Sequence, residues 1–259
     1  MEQLLKIMSL LRDPQHGCPW DLEQTPKSLT RYTLEEVYEV VDAVEDGSVD
    51  SLRDELGDLL FQVVFYARLA EESGQFDFED VAAGISEKLL RRHPHVFPDG
   101  NIESFGQQQE LDADQVVTNW EAIKGEERRQ RHDAGAAENT RSVLDDIPRA
   151  LPALERSHKL QKRAAGLGFD WQNLAPVLAK VKEELGELEE AIGTGSDEAV
   201  VHEVGDILFA VVNLARHLRV DPETALRESN RRFARRFGFI ESQLRKESLE
   251  PGKTNLEKL

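Results

Sequence analysis

Eight carboxylates recur in this chain at one spacing. Glu36, Glu39, Glu55 and Asp58 are separated by intervals of three, sixteen and three residues, and Glu184, Glu187, Glu203 and Asp206 repeat those intervals. Residues i and i+3 of a helix are neighbours, so each ExxE or ExxD pair shares one helix face. A sixteen-residue interval with a Gly-Ser turn signal inside it lets the two helices fold back as antiparallel neighbours. The context is apolar: Leu56, Leu59, Leu60, Phe61, Val63, Val64 and Phe65 surround the second pair, and Val204, Ile207, Leu208, Phe209, Val211 and Val212 surround its twin. A helix apolar nearly all round is expected to be buried. Two like charges 4 Å apart cost about 4 kcal/mol at an effective dielectric of about 20, so four buried carboxylates call for cations. All-oxygen ligation selects a hard divalent ion, Mg²⁺ with Mn²⁺ as substitute.

Two other readings of the carboxylates compete. An exposed acidic helix face is the ordinary one, opposed by the matched repeat and its apolar neighbours. A di-iron carboxylate bundle needs Glu-x-x-His on two helices, whereas the fourth position here is Asp. No His stands in either motif; His202 precedes Glu203 and points about 100° away from it.

A basic set accompanies each acidic one. Lys88, Arg91 and Arg92 in the first half, and Arg232, Arg235 and Arg236 in the second, sit at i, i+3 and i+4 of a helix. Such a face can hold phosphate oxygens, with Arg binding in bidentate fashion. A metal cluster beside a cationic stripe suits a polyphosphate ligand, although spacing alone does not say which bond breaks.

The elements that position these groups are helical throughout. Leu29–Val44, Leu52–Leu69, Val81–Leu90, Val177–Ile192, Val200–Leu218 and Ala225–Leu244 carry the helical period. Period-2 strand runs are absent, so the fold class is all-α. The stretch from Gly125 to Ser142 has no large apolar residue and reads as unable to order itself. It divides the chain into a domain at 1–128, a linker at 129–143 and a second domain at 144–259. Register through the acidic positions makes the two domains copies, with Gly17-Cys18-Pro19-Trp20 facing Gly168-Phe169-Asp170-Trp171. Trp20 and Trp171 are expected to fill a crevice beside each bundle, with base stacking as the alternative. His93-Pro94-His95 is expected to end a helix. Pro251-Gly252-Lys253-Thr254 lacks the earlier Gly and the strand of a phosphate loop and reads as tail.

Composition narrows the class further. With 259 residues, 50 acidic against 32 basic side chains and a net charge of −18, a general nucleic-acid binder is excluded, since phosphate contacts need a basic face. The single cysteine, Cys18, rules out an internal disulfide framework and a Cys-rich zinc site and fits a reducing compartment. No apolar run approaches a membrane span, and Met1–Leu11 lacks the features of a signal peptide. A cytoplasmic protein is expected.

ExxE, a spacer and ExxD followed by Gly-Asp-(Leu/Ile)-Leu-Phe is similar to the all-α nucleoside triphosphate pyrophosphohydrolases. The duplicated form, with GCPWD at 17–21, RRHPHVF at 91–97 and DDIPRALPA at 145–153, resembles the MazG family over essentially the whole chain. The resemblance implies Mg²⁺-dependent hydrolysis of NTPs to NMP and pyrophosphate by homodimers. It implies metal ligands at Glu184, Glu187, Glu203 and Asp206, with Glu183 or Glu35 orienting the water. It further implies nucleotide contacts at Lys180, Glu183, Arg232, Arg235 and Arg236, and in the first half at Lys88, Arg91, Arg92, Trp120 and Lys124. Glu36, Glu39, Glu55 and Asp58 match the ligand positions of the other copy. Family members carry a Trp-containing helix near the C-terminus, whereas this chain ends Asn-Leu-Glu-Lys-Leu, which puts a base contact in the second site in question. A non-catalytic bundle that binds nucleotide or a partner as sensor or scaffold is the alternative to an enzyme.

Overall fold

The computed structural model describes residues 1–106, 111–134 and 142–246, with the side chains of residues 121 and 128–134 left aside. The tail containing Pro251–Thr254 and the expected site of a terminal Trp lie outside the described residues. Among those described, the chain is helical and contains no strand, as expected. Among the described residues, no helix is long and apolar enough to cross a membrane. The chain divides into two compact units, Met1–Ala136 and Ala137–Leu259.

In the first unit, α1 (Glu2–Leu11) and the short α2 (Pro19–Glu23) precede two long helices, α3 (Pro26–Asp46) and α4 (Val49–Glu72), which pack on one another. α3 starts on a capping box between Thr25 and Ser28. It ends at Gly47, whose φ of 70° is a left-handed cap that Gly adopts without a Cβ clash. Ser48 then caps α4 by accepting from the Ser51 N–H. The second unit repeats this turn: α8 (Leu174–Thr194) ends at Gly195 with φ 71°, and Ser196 caps α9 (Asp197–His217). The same local chemistry therefore builds both hairpins and places ExxE opposite ExxD in each.

Met8, Leu29, Val64, Phe65 and Leu69 form the core of the first unit, with Tyr32 and Phe61 packed against it. α5 (Phe78–Arg92) and α6 (Ala113–Ala134) follow. α5 stops at His93, as the His-Pro step requires. In the second unit α7 (Ala153–Ala165) and α10 (Pro222–Lys246) pack on α9, around Val177, Val212 and Leu244.

Three expectations need correction. α6 continues to Ala134, into the stretch read as unable to order itself. Glu, Arg and Gln are good helix formers, so a segment too polar to build a core can still prolong a helix. The helices bearing the carboxylates are not buried all round in a single chain. Leu56, Leu60 and Val63 on α4, and Val204, Leu208, Phe209 and Val211 on α9, are each at least 36% exposed. One stripe of each helix is buried in its own unit, and the other is only partly covered by the described residues. Trp20 and Trp171 do not fill a crevice either, being 46% and 44% exposed. Trp20 instead sets its edge against Tyr32, with ring centroids 5.5 Å apart.

Candidate metal and phosphate site

The hairpin of the second unit gathers its carboxylates as the spacing predicts. One oxygen each from Glu184, Glu187 and Glu203 lies within 4.8 Å of the others. Glu184 is the enclosed member, its side chain 7% exposed, and Lys180 Nζ reaches it at 2.8 Å and Glu183 at 2.7 Å. These two bonds, Glu183 first, raise the Lys180 pKa and hold it as a cation. Glu187 is pushed up by partial loss of water, then by its hydrogen bond with Glu184 and that group's charge. Glu203 Oε2 is buried and has no hydrogen-bond partner. A buried carboxylate oxygen left unsatisfied is costly, and a cation among three carboxylates removes that cost. The donor set is therefore suited to a hard divalent ion.

Asp206 lies at the edge of this group. Its Oδ2 is 3.1 Å from His202 Nδ1, which also lies 3.4 Å from Glu203 Oε1. The expectation that His202 points away from the cluster is thus overturned. Rotation by 100° takes it off the centre of the Glu203 face, but residue i still neighbours i+4, and that residue is Asp206.

The first unit makes the corresponding arrangement with a different membership. Glu36, Glu55 and Asp58 bring one oxygen each within 4.8 Å, while Glu39 joins through a hydrogen bond with Glu36. Lost hydration, then the charges of Asp58 and Glu39, push Glu36 up, and lost hydration with Glu39 and Asp58 does the same to Glu55. Lost hydration is the larger cause of both shifts, and repulsion from the neighbouring carboxylates adds to it. Glu35 and Glu183 are exposed beside the two clusters.

The cationic sets differ between halves. Arg232, Arg235 and Arg236 stand exposed on α10. Arg91 and Arg92 instead grip Glu127 of α6: Arg91 Nη2 donates to Oε1 at 2.7 Å and Arg92 Nη2 to Oε2 at 2.5 Å. Glu127 is buried and its pKa is held down to about 2, by the Arg92 hydrogen bond first and then by Arg91. Sequence reasoning missed this acid because it lies at the start of the polar stretch read as unable to order itself, 35 and 36 residues from its partners, and no local pattern announces such a pairing. Lys88 is half-buried on α5. Trp120 and Lys124 lie on α6, with Lys124 Nζ over the indole at 4.6 Å and the His93 ring 5.6 Å away.

Asp170 was a further miss. It accepts from Arg216 Nη1 at 2.9 Å and Nη2 at 2.5 Å, and lies 3.0 Å from His217 Nε2. Arg216 above all holds its pKa down to about 2. The pair fixes the approach to α8 against the end of α9, and the first half has Pro19 in that place.

Comparison with known proteins bears on this site. The family model described as the MazG nucleotide pyrophosphohydrolase domain matches residues 24–97 and again 172–237, spans that contain both carboxylate hairpins. A nucleoside triphosphate pyrophosphohydrolase of Escherichia coli (strain K12) is 51% identical over 259 residues, covering 99% of this chain and 93% of that one. A nucleoside triphosphate pyrophosphohydrolase/pyrophosphatase MazG of Thermotoga maritima is 41% identical over 258 residues, 100% of this chain and 92% of that one. An uncharacterized protein YabN of Bacillus subtilis (strain 168) is 41% identical over 97% of this chain and 48% of its own length.

Proposed function

The chain belongs to the MazG family of nucleotide pyrophosphohydrolases, and we propose that it hydrolyses nucleoside triphosphates to monophosphate and pyrophosphate at its second carboxylate cluster. The observation that carries this reading is Glu203 Oε2, buried and without a partner inside a triad with Glu184 and Glu187. Glu184, Glu187, Glu203 and Asp206 are the residues that would hold divalent metal, Mg²⁺ or Mn²⁺. Bound there, such a cation supplies Lewis-acid stabilisation of phosphate oxygens and lowers the pKa of a nearby water.

The protein's own groups do the rest. Exposed Arg232, Arg235 and Arg236, with no ion pair among the described residues, supply donors to phosphate oxygens and stabilise the leaving pyrophosphate. Lys180 stays charged beside Glu184 and offers a further donor once substrate competes for it. Glu183 orients the attacking water. The water oxygen bonds to the α-phosphorus, and the bond from that phosphorus to the bridging oxygen of pyrophosphate breaks.

The first half fits a supporting role. Its Arg91 and Arg92 share one carboxylate of the same unit, which leaves one net positive charge between them, so part of their donor capacity is already engaged while Arg232, Arg235 and Arg236 keep theirs. It suits a nucleotide-binding or purely architectural copy, with Glu36, Glu39, Glu55 and Asp58 as its metal ligands and Glu35 beside them. Lys88, Trp120 and Lys124 are its remaining nucleotide-facing candidates. The polar stretch between the copies supports domains at 1–128 and 144–259, although α6 runs on to Ala134 and the compact units meet at 136 and 137.

The exposed stripes on α4 and α9 support assembly as a homodimer, because contiguous apolar helix faces of this kind are ordinarily covered. The lone Cys18 and the acidic surface support a cytoplasmic enzyme acting on free nucleotides rather than on nucleic acid.

Incubation with each NTP and Mg²⁺, followed by product identification, tests the reaction. NMP and pyrophosphate are expected, with turnover lost on chelation. NDP and phosphate would refute the assigned bond, and absence of turnover with every NTP would refute the enzyme reading.

A further inference from the structure

The two carboxylate hairpins differ in one donor. In the alignment that pairs Glu55 with Glu203 and Asp58 with Asp206, the residue opposite His202 is Asp54. Asp54 is engaged by its neighbour, accepting from Arg53 Nε and Nη2 at 3.3 Å, and does not join the Glu36, Glu55 and Asp58 group. His202 does join its cluster. Its Nδ1 stands within 4.8 Å of oxygens of both Glu203 and Asp206, at 3.4 Å and 3.1 Å.

Those spacings fit shared coordination. Donors held about 2.2 Å from one ion and at right angles stand about 3.1 Å from each other. Glu203 is common to both groups of donors in this half, and its second oxygen has no partner. The ring itself is 72% exposed, so packing does not account for its position over the two carboxylates.

Resting on the reading of these carboxylates as metal ligands, we infer that His202 is a nitrogen ligand to the divalent cation of the second half. It turns that site toward borderline cations such as Mn²⁺ and Co²⁺, while the all-oxygen first half keeps the donor set of a Mg²⁺ site. Imidazole favours later first-row ions over Mg²⁺, and carboxylate does not discriminate in the same way. His202 is thus a metal-specificity residue.

The test uses the full, untagged chain with Glu55→Gln and Asp58→Asn, which confines tight binding to the second half. Loaded with Mn²⁺, it should show the nitrogen coupling of a bound imidazole in pulsed EPR. The coupling should vanish on adding His202→Asp, which restores the first-half residue type and removes no buried packing. The reciprocal chain, with Glu203→Gln and Asp206→Asn, should show Mn²⁺ in the first half without nitrogen coupling. In equilibrium competition, the preference for Co²⁺ over Mg²⁺ should fall on the order of tenfold in His202→Asp. Stoichiometric Mn²⁺ without nitrogen coupling, or an unchanged preference in His202→Asp, overturns the inference and leaves the carboxylate site standing. Failure of the unaltered chain to bind Mn²⁺ at all removes the carboxylate-ligand reading, and this inference with it.

Discussion

Replacing Glu127 by Gln isolates the contact that separates the two halves. The carboxylate is buried, accepts from both Arg91 and Arg92, and titrates at about 2 instead of the ordinary 4.5. At about 1.4 kcal/mol for each pH unit between those values, the charged form contributes about 3 kcal/mol to the folded first unit. A neutral amide keeps one acceptor for the two guanidinium groups, so the expected loss is about 2 kcal/mol. The sign follows from a folded pKa below the unfolded one. The contribution is fully present above about pH 4.5 and is lost as pH falls toward 2. Hydrogen exchange reads the effect where it acts: α6 amides, and those at the end of α5, should exchange about 30-fold faster at pH 7 in Glu127→Gln. The difference from the unaltered chain should shrink progressively below pH 4.5. On the proposed assignment of the reaction to the second half, NTP turnover should change little. Equal exchange at pH 7, or a difference that persists undiminished near pH 2, would refute the assignment of this pair as an ionic clamp.

Two further outcomes bear on function and assembly. Glu184→Ala or Asp206→Ala should remove most pyrophosphate release, on the order of a hundredfold or more, while Glu36→Ala or Asp58→Ala should leave much of it; dead first-half variants beside active second-half ones would assign the reaction to the other copy. Leu208→Glu places a charge on the exposed stripe of α9 and should lower the mass measured by light scattering toward 29.3 kDa. The unaltered chain should run at twice that mass, and a fully active monomer would contradict the proposed dimer.

The sequence by itself determined the all-α class, the duplicated hairpins and the grouping of carboxylates on their inner faces. These follow from local rules. Helical periodicity names a face, i and i+3 place two acids together, and Gly47-Ser48 and Gly195-Ser196 supply a left-handed stop and a cap between helices. The neighbour relation of His202 and Asp206 was equally local and legible at i, i+4, although a rotation counted from Glu203 alone hid it. Tertiary structure decided what meets each face. An apolar stripe on α4 reads as core from its composition, yet Phe65 is buried and Leu56 is 49% exposed, because only part of the helix circumference has a partner within its own unit. Arg91 and Arg92 read as phosphate ligands from their spacing, and Glu127, more than thirty residues away, engages both of them with a single negative charge. Spacing along a helix encodes which side chains point together. It carries no information about the charge that another helix brings to them, and that long-range pairing distinguishes one copy of the repeat from the other.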